Sequence, residues 1–313
     1  MIDVIIPAYN AHETIERTLY SIAYQRNSEN LNVYIINDNS IKDYSKEIDF
    51  FKNFINIREL KLKENSGPGY ARQYGIEHSD SEYIVFIDSD DVFATPLSLI
   101  TLENAIKTSN SDVVVSAFIE EKTKDKFIFY DNDPIALHGK IYKRKFIEKN
   151  RIKFPYFYAE EDNAFNHLIF LNNPIKKIIQ DKTYIWMNNE KSLTRNANYR
   201  QNSILNYSKA MLYALENGFE NKVQSNFLAH LAYEALITIY YGLDYYNKNN
   251  ETIKNAKKIK KIYDDNITEI TSEEKIEILE YKIKCANNDG YIYNVLDPLM
   301  TFYDFLAKVE REG

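Results

Sequence analysis

Ile2-Asp3-Val4-Ile5-Ile6-Pro7-Ala8-Tyr9-Asn10 opens the chain with an apolar run that ends abruptly in a polar turn. A short run of Ile and Val bounded by turn residues reads as a strand buried on both faces. The segment behind it, Glu13–Gln25, has Ile15, Leu19, Ile22 and Ala23 at helical spacing on one face. The same alternation continues outward. Val33–Ile36, Ile57–Leu62, Tyr83–Ile87 and Asp112–Ala117 are expected strands, and 43–54, 69–78 and 96–108 are expected helices. Strand–helix alternation of this kind predicts an α/β fold with a mostly parallel sheet covered by helices on both faces.

From Lys126 to Met187 the pattern is mixed, with strands expected at Lys126–Tyr130 and Thr183–Met187 and a helix over 161–171. Beyond Arg200 only helical spacing remains, over 204–216, 222–246, 253–263, 272–285 and 298–309. The expected division is therefore an α/β domain at 1–197 and a helical C-terminal domain at 198–313. The helical part is assigned to acceptor, partner or homo-oligomer contacts. Its tyrosines Tyr233, Tyr240, Tyr241, Tyr245 and Tyr246 read as packing residues, and the Lys-rich stretch 254–261 as a solvated face.

Composition limits the function. The chain has 313 residues, 44% of them hydrophobic and 27% charged, and a formal charge of −7. That balance gives no general basic footprint for nucleic acid. The single Cys285 excludes an intramolecular disulfide framework and a thiolate zinc site. No stretch approaches the ~18 apolar residues that span a bilayer, and the strand beginning near Met1 leaves no room for a signal-peptide core. The protein is expected to be cytoplasmic, with peripheral attachment to the inner face of a membrane left open.

In a parallel α/β sheet, ligands gather beyond the carboxyl ends of the strands. Three polar clusters fall there: Pro7-Ala8-Tyr9-Asn10, Asn37-Asp38-Asn39-Ser40 and Asp88-Ser89-Asp90-Asp91. Three carboxylates within four residues repel one another unless a cation offsets them. Mn2+ or Mg2+ prefers such oxygen ligands together with substrate phosphates. The turn from Pro7 to Thr14 contains no glycine, so neither a dinucleotide fingerprint nor a P-loop fits. A diphosphate ligand would then be neutralised by a divalent ion at Asp88 and Asp90.

These motifs, with Asn65-Ser66-Gly67 leading to Ala71-Arg72-Gln73 and Tyr83-Ile84-Val85-Phe86-Ile87-Asp88-Ser89-Asp90-Asp91, resemble glycosyltransferase family 2 in order and spacing over about residues 1–195. The resemblance implies a GT-A fold and transfer of a sugar, with inversion, from a nucleotide donor that is usually UDP-linked. The acceptor would be a glycan, lipid-linked or protein hydroxyl in bacterial-type surface glycan synthesis. Pro7, Ala8, Tyr9 and Asn10 would line the nucleotide pocket, and Asp38 would accept the uracil imide N–H. Asn65 and Arg72 would sit beside the base and the acidic turn. Asp88 and Ser89 would face the ribose and phosphates, and Asp90, with Asp88, would ligate the metal. Asn37 and Gln73 depart from the family's usual residues. The family's Glu-Asp pair followed by a large apolar residue is similar to Glu161-Asp162-Asn163-Ala164-Phe165, which makes Asp162 the expected base and Glu161 its orienter or alternate.

His138 and Lys140, in a stretch that precedes the base in relatives, carry a structural reading at least as strong as a functional one. Ser192 and Arg195 fall where relatives contact the diphosphate. His12, His78, His167 and His230 are scattered without ligand spacing, although one histidine could complete a metal shell. Two other functions fit less well: a non-catalytic nucleotide-sugar-binding module, which has no use for a base, and a sugar nucleotidyltransferase, which needs a glycine-rich N-terminal loop.

Overall fold

Residues Ile2–Ala8 form strand β1, whose side chains are buried on both faces. Ile2, Val4, Ile6 and Ala8 join Leu19 and Ile22 of helix α1 (Ile15–Ala23) in one core cluster. Ile5 points to the opposite face, where helix α3 (Pro68–Glu77) crosses so closely that a Cβ on Gly75 would meet the Ile5 Cγ2 at 2.5 Å. One strand thus has a helix on each side, as a continuous apolar run requires. In this computed structural model the described residues are 1–124, 126–189, 202–221, 223–245, 249–266 and 270–288, with 304, 306 and 307.

The chain divides into two compact units, Met1–Ser192 and Leu193–Gly313. In the first, β2 (Leu31–Asn37), α2 (Ser45–Phe51), β3 (Asn56–Lys61) and β4 (Tyr83–Phe86) follow β1 and α1. Next come β5 (Val92–Phe93), α4 (Ser98–Ser109), β6 (Val113–Thr123), β7 (Lys126–Tyr130), β8 (Lys140–Lys143), α5 (Arg144–Lys149), α6 (Glu161–Leu171) and β9 (Lys176–Trp186). The sheet order is β3-β2-β1-β4-β8-β6-β9-β5, with β7 added to β6.

The α/β class is as expected, and the pairing is more mixed than the sequence pattern implied. β3, β2, β1 and β4 are parallel, whereas β8 is antiparallel to both β4 and β6, and β5 to β9. Strand β8 has no expected counterpart, because four residues with lysines at both ends carry no apolar run. Pairing makes it a strand. Lys140 is buried there and donates through Nζ to the carbonyls of Asp133 (2.7 Å), Ala136 and His138. Strand β9 begins seven residues before the expected Thr183, because its exposed first half is drawn in by parallel pairing with β6.

The second unit is helical among its described residues: α7 (Ser203–Glu220), α8 (Ser225–Tyr245), α9 (Asn250–Asp265) and α10 (Ser272–Asn288). Met211 and Leu215 of α7, Leu228, Ala232 and Leu236 of α8, and Ala256 and Ile259 of α9 are buried. Tyr233 is buried and lies 5.6 Å from the Tyr263 ring, a packing role. The helix expected over 298–309 lies almost entirely outside the described residues. Among those residues, no helix is long and apolar enough to cross a membrane.

Candidate active site

The parallel strands β1, β2 and β4 deliver their following turns to one edge of the sheet. The first two turns are stitched together. The Asp38 amide donates to the Ala8 carbonyl (2.9 Å), the Asn10 amide to Ser40 Oγ (2.9 Å), and the Ile41 amide to Asn10 Oδ1 (2.9 Å). Asn10 and Asn39 take positive φ (51° and 59°), a conformation asparagine tolerates better than most side chains. Pro7 is half-buried and Ala8 buried, while Tyr9 and Asn10 are exposed at the rim.

Asp38 is buried, and its two carboxylate oxygens accept the Ser66 and Gly67 amides at 2.7 and 2.9 Å. It therefore fixes the loop that carries Asn65. Each oxygen keeps a second lone pair, so a further donor can still be accepted. Gly67 has φ +86°, and a Cβ there would press on the Tyr158 ring at 3.1 Å. The Tyr158 hydroxyl donates to Asn65 Oδ1 at 3.2 Å.

The acidic turn after β4 is divided by its surroundings. Asp88 is half-buried and accepts from Arg72 Nη2 at 2.6 Å. Burial opposes its ionisation, but the Arg72 charge outweighs that and holds it below the ordinary carboxylate range. Ser89 and Asp90 are half-buried, and Asp90 accepts from Asn189 Nδ2 at 2.7 Å. Burial, then the Asp88 charge, raises Asp90. Asp91 is fully enclosed: one oxygen accepts from the Tyr184 hydroxyl (2.6 Å), the other from the Met187 amide (2.8 Å). It ties the turn to the end of β9.

Across the turn lies His138, a buried ring stacked on Trp186 at 5.0 Å. Burial drives its pKa down to about 4, so the imidazole is neutral, and its Nδ1 has no hydrogen-bond partner among the described residues. Ligand atoms of Asp88, Asp91 and His138 lie within 4.8 Å of one another. Asp88 of this group is half-buried and open to an incoming ion, and Asp90, two residues on in the same turn, is half-buried as well, whereas Asp91 is enclosed. Two carboxylates and an imidazole suit Mn2+ well and Mg2+ less well. The sequence alone gives His138 a structural reading at least as strong as a functional one. Its proximity to the acids comes from strand pairings that bring β8 and β9 to β6, and no local motif signals it.

Arg72 links the acidic turn to Glu161, the neighbour of the expected base Asp162. Its Nη1 donates to Glu161 Oε1 at 2.5 Å while Nη2 holds Asp88, and the guanidinium is buried. Glu161 and Asp162 begin α6 after Glu160, which adopts φ 64°. Gly69 on α3 lets α6 approach: a Cβ would meet the Pro155 carbonyl at 2.2 Å and Glu161 Cγ at 2.9 Å. Glu161 is buried, and its pKa is pushed up to about 7 by burial and the Asp162 charge. Asp162 is half-buried, and one of its oxygens accepts its neighbour Asn163's amide at 2.9 Å. Burial raises it, Arg72 opposes, and Asp88 adds to the rise. Ser192 and Arg195, the expected diphosphate contacts, lie outside the described residues.

The family model for glycosyl transferase family 2 matches residues 3–169. The chain is 30% identical over 206 residues to the poly(ribitol-phosphate) beta-N-acetylglucosaminyltransferase TarP of Staphylococcus aureus (strain N315), covering 58% of this chain and 61% of TarP. It is 27% identical over 204 residues to the poly(ribitol-phosphate) beta-glucosyltransferase of Bacillus spizizenii, covering 59% of this chain and 32% of that protein. The chain thus spans less than two thirds of either relative. Among solved structures, S. aureus TarS 1-349 in complex with UDP-GlcNAc superposes with a TM-score of 0.68 at 17% identity, covering 95% of both chains. At that identity the likeness establishes a common fold.

Proposed function

The chain belongs to glycosyl transferase family 2, and from that membership we propose that it moves a sugar from a UDP-sugar to an acceptor hydroxyl by single displacement with inversion. The donor class we favour is UDP-N-acetylhexosamine or UDP-hexose, and the acceptor a bacterial surface glycan. The donor choice and the surface-polymer setting follow the similarity to enzymes named for N-acetylglucosaminyl and glucosyl transfer to poly(ribitol phosphate).

One observation carries the reading. Arg72 joins a diphosphate-side carboxylate, Asp88, to a base-side carboxylate, Glu161, and leaves Asp162 unpaired with it. In this reading Pro7, Ala8, Tyr9, Asn10, Asp38 and Asn65 line the nucleotide pocket, and Arg72, Asp88 and Ser89 border the ribose and phosphates. Asp88, Asp90 and His138 would hold Mn2+ or Mg2+. When bound, the ion supplies positive charge that stabilises the departing diphosphate. Asp162 takes the acceptor proton as the acceptor oxygen bonds to the anomeric carbon. The bond from that carbon to the phosphate oxygen breaks, and UDP departs with the electron pair. A carboxylate raised above its ordinary value is the stronger base for this task. Glu161, held by Arg72, fixes the start of α6 so that Asp162 meets the hydroxyl in line.

The test is incubation of the protein with MnCl2 and a panel of UDP-, GDP- and dTDP-sugars, scoring slow release of free nucleotide. Release from a UDP-sugar supports the proposal. Tight UDP binding without release from any donor, with or without glycan acceptors, would identify a binding module.

A further inference from the structure

Two segments lie beside the start of α6, and both carry tyrosines. The loop entering α6 presents Tyr156 and Tyr158, 60% and 57% exposed. The adjoining helix α3 carries Tyr70, Tyr74 and His78 at successive i, i+4 positions, which lie on one helix face. Their rings form a chain. Tyr156 meets Tyr70 edge-on at 5.0 Å, Tyr70 lies near-parallel to Tyr74 at 6.4 Å, and Tyr74 stacks on His78 at 3.8 Å. The His78 ring is also joined to the Tyr74 carbonyl through Nδ1 at 2.8 Å. Along α3 the strip runs about 12 Å at 1.5 Å per residue. Its N-terminal end lies beside the start of α6, because Gly69, next to Tyr70, abuts Glu161, the neighbour of Asp162.

We infer that this aromatic strip is an acceptor subsite that binds neutral sugar rings by stacking, and delivers the terminal hydroxyl to Asp162. The inference rests on the function proposed above and names the class of acceptor. Aromatic faces bury apolar surface and keep a polar tip wet, which suits the C–H face and hydroxyl rim of a sugar. The charges beside the strip, Lys153 and Glu77, pair with each other at 3.8 Å, so together they add no net positive charge to grip a phosphate-linked polymer. A phosphodiester acceptor calls for cations at regular spacing.

The test uses the full chain and two kinds of probe. Saturation-transfer NMR is recorded with neutral oligosaccharides (maltotriose, cellotriose and chitotriose) and with poly(ribitol phosphate), each with and without UDP and MnCl2. At least one neutral oligosaccharide is expected to bind, with its ring protons saturated. Tyr74→Ala and Tyr156→Ala should each weaken that binding about fivefold or more, and Tyr156→Phe, which keeps the ring, should restore it. UDP affinity should be the same in all three variants. Absence of binding by every neutral oligosaccharide, binding of poly(ribitol phosphate) alone, or binding indifferent to both alanine substitutions would overturn the subsite. None of those results touches donor cleavage, which the nucleotide-release assay reads separately.

Discussion

Arg72 and Glu161, 89 residues apart in sequence, are joined by a 2.5 Å hydrogen bond inside the first unit. The second arm of the same guanidinium reaches Asp88. A planar fork can hold two carboxylates in fixed directions, which a lysine ammonium cannot copy. Arg72→Lys should therefore leave a folded protein whose turnover is down about 100-fold, the effect of misplacing a reacting group by ~1 Å. Arg72→Ala strands two buried carboxylates and should cost about 3–5 kcal/mol of stability. Nucleotide-release kinetics and denaturant unfolding check the two outcomes. Wild-type turnover in Arg72→Lys would refute the bridging role.

Asp162 and Glu161 are neighbours with separate tasks in the proposed mechanism. Asp162→Asn should lower turnover by about 10²–10⁴-fold, the usual contribution of a general base, with UDP affinity unchanged. Glu161→Gln keeps an acceptor for Arg72 and should lose far less. Near-normal turnover in Asp162→Asn would move the base elsewhere.

Metal dependence separates the acids of the 88–91 turn. Chelation with EDTA should abolish nucleotide release, and MnCl2 should restore it. Asp90→Ala and His138→Ala should each weaken Mn2+-dependent UDP binding, read by calorimetry. Asp91→Asn should show itself mainly as lost stability, because Asp91 holds Tyr184 and Met187. If Asp91→Asn removed metal binding in a fully stable protein while Asp90→Ala did not, the ligand assignment would have to be reversed.

Gly69→Ala tests the contact between α3 and α6. The added methyl meets a backbone carbonyl at 2.2 Å, which cannot rotate away. Overpacking of this kind costs about 1–3 kcal/mol, and α6 must shift to relieve it. Turnover should fall together with the midpoint of thermal unfolding. A variant with both unchanged would mean that the helices are not in this contact.

Stability should fall as pH rises through neutrality. Glu161 titrates near 7 in the folded chain against an ordinary 4.5, through burial and then the Asp162 charge. A carboxyl that holds its proton more tightly when folded contributes stability below its ordinary value, and that contribution is lost as pH climbs through the folded value. Asp90, Asp91 and Asp162 are raised as well, each chiefly by burial, while Asp88 is lowered because Arg72 outweighs its burial. Thermal unfolding without metal should have a higher midpoint at pH 6 than at pH 8. The gap should narrow in Glu161→Gln. An equal gap in that variant would rule Glu161 out as its source.

Much of this was legible in sequence where an element declares itself locally. The run Ile2–Ile6 ends in a polar turn, and Tyr83–Ile87 ends in an acidic one, so strand, edge and site were read together. Arg72 was legible as a site residue only through resemblance, since within Tyr70-Ala71-Arg72-Gln73 it reads like any helix arginine. Its bridge depends on partners 16 and 89 residues distant. Lys140 and His138 failed to declare themselves for a related reason. A lysine opening a four-residue strand reads as solvent-facing, until pairing opposite Val115 of β6 brings it into the sheet, where it is buried. The different surroundings of Glu161 and Asp162 follow from Gly69 and Pro155, which no helical periodicity connects to α6.

The grip of Asp38 on the amides of Ser66 and Gly67 bears on how a nucleotide pocket at this edge could be retargeted. If the proposed pocket holds the base here, its preference among nucleobases is written partly into main-chain shape, and exchanging Asn65 alone should leave that choice intact. A variant meant to take a purine donor would have to lay a new path for 65–67, with another anchor in place of Asp38.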